Sequence, residues 1–115
     1  MSVTIFHNPR CSKSRQTLSL IQEKSIDINI IEYLKTPPDI SQLKQILKKL
    51  GYEPRQLMRK SEQIYKGLDL GNENKTEEDL VIAMAQNPIL IERPIVLSGE
   101  KAAIGRPPES VLNIL

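Results

Sequence analysis

The first thirty residues of the chain read as a strand, a helix and a second strand, and this order constrains the fold more than any other feature. Residues 3–6 form an apolar run that ends at the Asn-Pro pair of positions 8–9. A helix is predicted for about residues 12–24, and isoleucines at 26, 28 and 30 then alternate with polar residues, as in a half-buried strand. A strand-helix-strand unit predicts two parallel strands joined by a right-handed crossover.

The middle of the chain is predicted to be helical. Asp39 and Thr76 each precede an apolar series and can act as N-caps. Gly51 ends the first of these helices, and Asn87, which is followed by proline, ends the second. A short helix is predicted from Pro54 to Leu57. Another is predicted to follow Ser61 as its N-cap and to end at about Lys66.

The last third returns to strands. Residues 94–97 and 101–104 flank a Ser-Gly-Glu turn, which predicts a hairpin. The proline pair at 107–108 begins a short C-terminal helix, and its apolar side includes Val111 and Leu112.

The complete order is therefore strand-helix-strand followed by strand-strand-helix. It resembles the order of an α/β, thioredoxin-like core. At 115 residues the chain is long enough for one domain with its own hydrophobic core. We expect a single thioredoxin-like domain over residues 1–115, with a helical insertion at about 38–88.

Composition argues against several classes of function. The formal net charge of +2 and the scarcity of aromatic residues argue against nucleic-acid binding, and no apolar run approaches the length of a membrane span. A single cysteine makes neither an internal disulfide nor a zinc site. We therefore expect no metal, no bound cofactor and a reducing, cytoplasmic compartment.

The only cysteine, Cys11, lies where the first strand ends and the first helix begins. A thiol at a helix N-terminus beside positive charge ionises more readily and becomes a better nucleophile. Ser14, one turn further on, can add a hydroxyl donor to the sulfur but cannot act as a resolving thiol. The imidazole and the cationic side chains of the same stretch are His7, Arg10, Lys13 and Arg15.

Four segments carry a family resemblance: residues 7–14 (HNPRCSKS), 57–60 (LMRK), 92–96 (ERPIV) and 105–109 (GRPPE). With these segments in this order and at these spacings, the chain resembles the ArsC-type arsenate reductase family, in its glutaredoxin-coupled class. The Arg-Cys-Ser-Lys-Ser sequence of the first segment resembles that of short chromosomal members. The resemblance covers nearly the whole chain.

The resemblance implies a reaction and a set of site residues. Cys11 matches the nucleophile that attacks arsenate and forms a thiol-bound adduct. Glutathione, as co-substrate, then attacks the adduct, and glutaredoxin resolves the mixed disulfide, with release of arsenite. His7 matches a histidine that helps to hold the thiolate, and Pro94 matches the cis-proline that faces the cysteine. The arginines that match the oxyanion-binding residues of the family are Arg59, Arg93 and Arg106.

The residue types suit this chemistry. Arsenate is a tetrahedral dianion, and arginine stays protonated and can bind two oxygens at once. Because the chain has no second cysteine, the reducing equivalents for Cys11 must come from an external thiol. The first arginine after Cys11 follows at four residues, which excludes the Cys-x5-Arg loop of the unrelated phosphatase-like reductases.

Two alternative functions use the same fold. A glutathione-dependent thiol/disulfide reductase would use Cys11 and a glutathione site, and it would not need all three arginines. An Spx-like regulator that binds RNA polymerase typically carries a Cys-x-x-Cys switch, whereas here Ser14 replaces the second cysteine. The substitution Arg59→Ala separates the two reductases, because only the reduction of an oxyanion depends on anion binding.

Overall fold

A computed structural model describes residues 2–115, which form two compact units. The first unit, called here the sheet unit, joins the N-terminal segment up to Thr36 to Arg93–Leu115 and holds all the strands. The second, the helical unit, is Pro37–Glu92. The helical unit overlaps the segment predicted as an insertion at about 38–88. A single domain over the whole chain stays a prediction.

The sheet unit has four strands in one mixed sheet. They are β1 (Ser2–His7), β2 (Asp27–Glu32), β3 (Ile95–Ser98) and β4 (Lys101–Ile104), with helix α1 (Ser12–Gln22) between the first two and a 3-10 helix (Pro108–Ile114) at the end of the chain. The strand order is β2-β1-β3-β4. β1 runs parallel to β2, with His7 opposite Glu32, and antiparallel to β3, which pairs antiparallel with β4. The predicted α/β order and hairpin are confirmed.

Apolar side chains from the sheet, from α1 and from the C-terminal 3-10 helix form the core of this unit. Burial of one side chain of this kind stabilises the fold by about 1.5–3 kcal/mol. The cluster therefore holds α1 against the strands, and with it Cys11 at the start of the helix. The cluster residues, each at most 1% exposed, are Val3, Ile5, Ile21, Val96 and Val111.

Two apolar side chains predicted to face the core are exposed instead, Ile30 by 45% and Leu112 by 38%. β2 is an edge strand, and of its apolar residues Ile28 reaches the core cluster while Ile30 lies beyond it. The C-terminal helix is 3-10 rather than α, with three residues per turn. Val111 and Ile114 therefore share the inward face, and Leu112 turns outward.

Capping determines where the long helices of the helical unit begin. The helices are α2 (Ile40–Leu50), a 3-10 helix (Pro54–Leu57), α3 (Gln63–Gly67), α4 (Glu77–Gln86) and a 3-10 helix (Pro88–Leu90). Asp39 accepts from the amide of Gln42 at 2.8 Å and Thr76 from that of Asp79 at 3.1 Å, each in a capping box, as predicted. Such a cap typically stabilises a helix by about 1 kcal/mol. The predicted cap of α3 is wrong, because this helix begins after Glu62, one residue later.

Candidate active site

Cys11 is the N-cap of α1, with an extended backbone (φ −97°, ψ 122°). Its amide donates to the carbonyl of Asn8 at 3.0 Å, and its carbonyl accepts from the amide of Arg15 at 3.0 Å. The thiol makes no capping bond to the helix, so the sulfur is left for other partners. The first-turn amides of a helix have no carbonyl partner within the helix and favour an anion beside them.

Arg106 approaches Cys11 from the segment that follows β4. Its Nη2 lies 3.6 Å from Cys11 Sγ, and its Nε donates to the carbonyl of Arg93 at 2.8 Å. The backbone therefore holds one side of the guanidinium while the other side faces the sulfur. A fixed positive charge in this position can meet negative charge on the sulfur and on an oxyanion bonded to it.

Gly105 allows the segment that carries Arg106 to come close to α1. Its amide donates to the carbonyl of Pro94 at 3.0 Å. A Cβ at this position would lie 2.7 Å from Pro94 Cγ and would collide with the hydroxyl of Thr17, which is itself bonded to the carbonyl of Lys13 at 2.8 Å. Sequence reasoning missed this role of Gly105, although the residue opens the Gly-Arg-Pro-Pro-Glu motif.

Arg93 and Pro94 lie directly before β3. The peptide bonds that precede Pro94 and Pro107 are both cis. The Nε and Nη1 atoms of Arg93 are buried, while the carbonyl of Arg93 holds Arg106. The positions of these two arginines are therefore coupled through the backbone.

His7 and Ser14 form a buried hydrogen-bonded pair. His7 Nδ1 lies 2.6 Å from Ser14 Oγ, and the amide of Asn8 donates to the same oxygen at 3.0 Å. The pair ties the end of β1 to the first turn of α1 and so steadies the loop that carries Cys11. Within residues 2–115 the Ser14 hydroxyl bonds to His7 and to the amide of Asn8, and the predicted donation to the Cys11 sulfur is not among these contacts.

Burial lowers the pKa of His7 below its ordinary value of 6.5; Glu32 opposes this shift and Arg15 adds to it. The side chain is only 6% exposed, in keeping with that direction. The imidazole is therefore neutral near pH 7 and adds no positive charge to the site. His7 would therefore help to hold a thiolate by fixing the position of Ser14 and of the loop that carries Cys11, and not by its charge.

The cations close to Cys11 in sequence differ in what they contact. Arg15 Nη1 donates to the carbonyl of Pro9 at 2.9 Å and so holds the loop before the cysteine. The side chains of Arg10 and Lys13 are exposed. The sequence shows Arg15 only as one of three cations near Cys11. Its role in holding the loop could not be predicted, because that role depends on where the backbone places the carbonyl of Pro9.

Arg59 belongs to the helical unit and is firmly placed there. Its amide donates to the carbonyl of Leu90 at 2.7 Å. Its guanidinium forms ion pairs with two carboxylates, Nη1 with Glu62 Oε2 at 2.8 Å and Nε with Glu92 Oε1 at 3.9 Å. An oxyanion at Arg59 would compete with these carboxylates.

The sheet unit thus contains six of the seven predicted site residues, joined by the contacts described above. Arg59 is the seventh, and its grouping with Cys11 stays a prediction. The six are His7, Cys11, Ser14, Arg93, Pro94 and Arg106.

Two further kinds of feature are absent from residues 2–115. No group of three or more His, Cys, Asp or Glu side chains in that range is placed to hold a metal ion. None of the helices formed by those residues combines the length and apolar character needed to cross a membrane.

Sequence comparison gives matches along almost the entire chain. The sequence model of the ArsC family matches residues 6–114, a range that includes all four motif segments. The uncharacterized protein YfgD of Escherichia coli (strain K12) is 51% identical over 98% of this chain and 96% of its own length. A protein named arsenate reductase from Haemophilus influenzae is 49% identical over 100% of both chains.

Comparison with solved structures identifies the fold. The structure of an arsenate reductase from Vibrio cholerae matches this chain with a TM-score of 0.97 and 49% identity. The match covers 100% of this chain and 98% of the other. The predicted α/β, thioredoxin-like fold is confirmed.

Proposed function

This chain belongs to the ArsC family, and from that premise we propose that it is an arsenate reductase that converts arsenate to arsenite through Cys11. The observation that carries the proposal is the 3.6 Å approach of Arg106 Nη2 to Cys11 Sγ at the N-terminus of α1. It supports the proposal because a thiol that attacks an oxyanion needs a fixed cation beside it. The relatives about half identical to this chain that bear the name arsenate reductase agree with it.

In the first step, the Cys11 sulfur attacks arsenic, an S–As bond forms, and one arsenate oxygen leaves as water. The adduct still contains As(V). Arg93, Arg106 and, as the third arginine, Arg59 bind its oxygens. Each hydrogen bond between charged partners contributes about 1.5–3 kcal/mol, so three arginines can hold a small anion.

In the second step, the thiol of glutathione attacks Cys11 Sγ and loses its proton to the departing oxyanion. The S–As bond breaks and its electron pair stays on arsenic, so As(V) becomes As(III) and leaves as arsenite. The two sulfurs are oxidised to a mixed disulfide between Cys11 and glutathione. Electrons balance, because the two that reduce arsenic are those lost by the sulfur pair.

In the third step, a glutaredoxin thiol attacks the glutathione sulfur of the mixed disulfide and restores the Cys11 thiol. The chain has no second cysteine that could do this from within. We place the reaction in the cytoplasm, because glutathione and glutaredoxin are kept reduced there.

A glutathione-dependent thiol/disulfide reductase is the second candidate, and one observation favours it. Arg59 is already paired with Glu62 and Glu92, which offset its charge toward an oxyanion. A disulfide substrate needs no third arginine. If the unmodified protein turns over arsenate and Arg59→Ala does not, the arsenate reductase is supported. If the unmodified protein does not turn over arsenate, and Arg59→Ala loses anion binding but keeps full activity on a glutathione mixed disulfide, this candidate is supported.

The test is a coupled assay with purified protein, glutathione, glutaredoxin, glutathione reductase and NADPH, started with arsenate. The matched control is Cys11→Ser, which removes the nucleophile but keeps a side chain of similar size. We expect arsenate-dependent loss of NADPH that disappears in the control. Equal rates in both proteins would refute the proposal. Failure of both reductase activities, together with recovery of RNA polymerase in a pull-down, would support the Spx-like regulator instead.

A further inference from the structure

An open cavity of about 430 Å³ lies in the sheet unit where the parallel strands β1 and β2 end. One wall is residues 7–10, and the other is formed by Glu32, Leu34 and Lys35. Small-molecule sites typically measure about 300–1,000 Å³, and in α/β proteins they lie outside the carboxyl ends of strands. The first wall leads directly into Cys11, the next residue along the chain.

The cavity carries two positive charges and one negative charge. The guanidinium of Arg10 is exposed and has no hydrogen-bond or ion-pair partner among residues 2–115. Lys35 Nζ lies 3.6 Å from Glu32 Oε1, with side chains 79% and 43% exposed. An ion pair this exposed is weak, so a ligand with its own charges can replace it. His7 also lines the cavity, as a neutral ring.

We propose that this cavity binds the thiol co-substrate, a small peptide thiol with two carboxylates and one ammonium group, as in glutathione. This inference rests on the function proposed above. The two carboxylates pair with Arg10 and Lys35, and the ammonium pairs with Glu32. Leu34, which is 44% exposed, offers apolar contact to the methylene groups of the peptide.

The position of the cavity fits the second step of the reaction. Cys11 does not line the cavity, but it follows Arg10 directly in the chain, so a peptide anchored at Arg10 lies next to the residue whose sulfur its thiol must attack. That attack forms the S–S bond and leaves the electron pair of the S–As bond on arsenic, as balanced above. Binding at this place therefore converts an encounter in solution into a reaction between neighbouring groups.

The cavity is separate from the cations proposed to bind the oxyanion. Neither Arg93 nor Arg106 lines it. The oxyanion and the peptide thiol would therefore be held by different residues and could bind at the same time. It follows that an inert oxyanion should not displace the peptide.

The test is direct binding of S-methylglutathione, which cannot exchange disulfides, to the full-length protein by isothermal titration calorimetry. The variant Lys35→Glu reverses one charge of the cavity, and Lys101→Glu makes the same change at an exposed position on β4. We expect Lys35→Glu to weaken binding about fivefold and Lys101→Glu to leave it unchanged. Sulfate should not displace the ligand. Lys35→Gln, a milder change, serves if Lys35→Glu does not fold.

The same variants in the coupled assay separate this inference from the proposed function. A rise in the KM for glutathione in Lys35→Glu, absent in Lys101→Glu, would support the subsite. S-methylglutathione binding that depends on Lys35, in a protein that does not turn over arsenate, would retain the subsite and refute the proposed substrate. The absence of binding to the unmodified protein, or equal binding to all variants, would overturn the inference even if arsenate is reduced.

Discussion

The guanidinium of Arg106 lies 3.6 Å from the sulfur of Cys11, although the two residues are 95 positions apart in sequence. The contact depends on β1 and β3 being neighbours in the sheet, because Arg106 is held by the carbonyl of Arg93 just before β3. It joins the first and last motif segments of the chain. It is also the contact whose removal tests the site most directly.

Replacing Arg106 by alanine is expected to slow the alkylation of Cys11 at about pH 6.5 by about fivefold, because a long, exposed contact between the guanidinium and the sulfur, worth roughly 1 kcal/mol, is lost. Sulfate or phosphate should slow alkylation of the unmodified protein and have little effect on Arg106→Ala. Iodoacetamide labelling followed by mass spectrometry measures both rates. Arg106→Lys, which keeps the charge without the planar fork, should fall between the two. Unchanged rates in Arg106→Ala would contradict the role given to this cation.

Replacing Gly105 by alanine is expected to destabilise the protein by about 1–3 kcal/mol, because the new methyl group would meet Pro94 and Thr17. Thermal denaturation measures the effect. The control is Gly67→Ala, where a Cβ meets nothing within 4 Å. The control should match the unmodified protein or exceed it by a few tenths of a kcal/mol. Equal stability of the two alanine variants would show that the close approach at Gly105 does not matter.

Stability is expected to fall as the pH decreases below 6.5, through the titration of His7. Burial lowers the pKa of this imidazole in the folded chain, so the unfolded chain takes up the proton at a higher pH. The contribution is fully present above 6.5, where both states are neutral, and is lost as the pH falls through the folded-state pKa. Urea denaturation across this range, with His7→Asn as the non-titrating control, isolates the effect. Parallel pH profiles for the two proteins would contradict it.

Replacing Glu62 by glutamine is expected to lower the KM for arsenate about threefold, because the carboxylate 2.8 Å from Arg59 Nη1 no longer competes with the oxyanion. Steady-state kinetics in the coupled assay measures the change. Glu73→Gln removes the same charge from an exposed site of the helical unit and should leave KM unaltered. A higher KM in Glu62→Gln would mean that this carboxylate orients Arg59 rather than competing for it.

Local patterns in the sequence predicted most of the secondary structure. The caps at Asp39 and Thr76 depend on side chains three residues from their partners, so they can be read without knowledge of the fold. The inward-facing residues were harder to predict. Ile30 fits the alternation of a half-buried strand, yet it is exposed, whereas Ile28 on the same edge strand packs against the core.

The sequence by itself determined the order of elements, the place of Cys11 between a strand and a helix, and the motifs that identify the family. Only the tertiary structure decided which groups meet: Arg106 with the sulfur, His7 with Ser14, and the two walls of the cavity beside β2. The reason is physical. Propensity, periodicity and capping act over a few residues, whereas these contacts depend on strand pairing and helix packing, which bring together distant segments that no local pattern specifies.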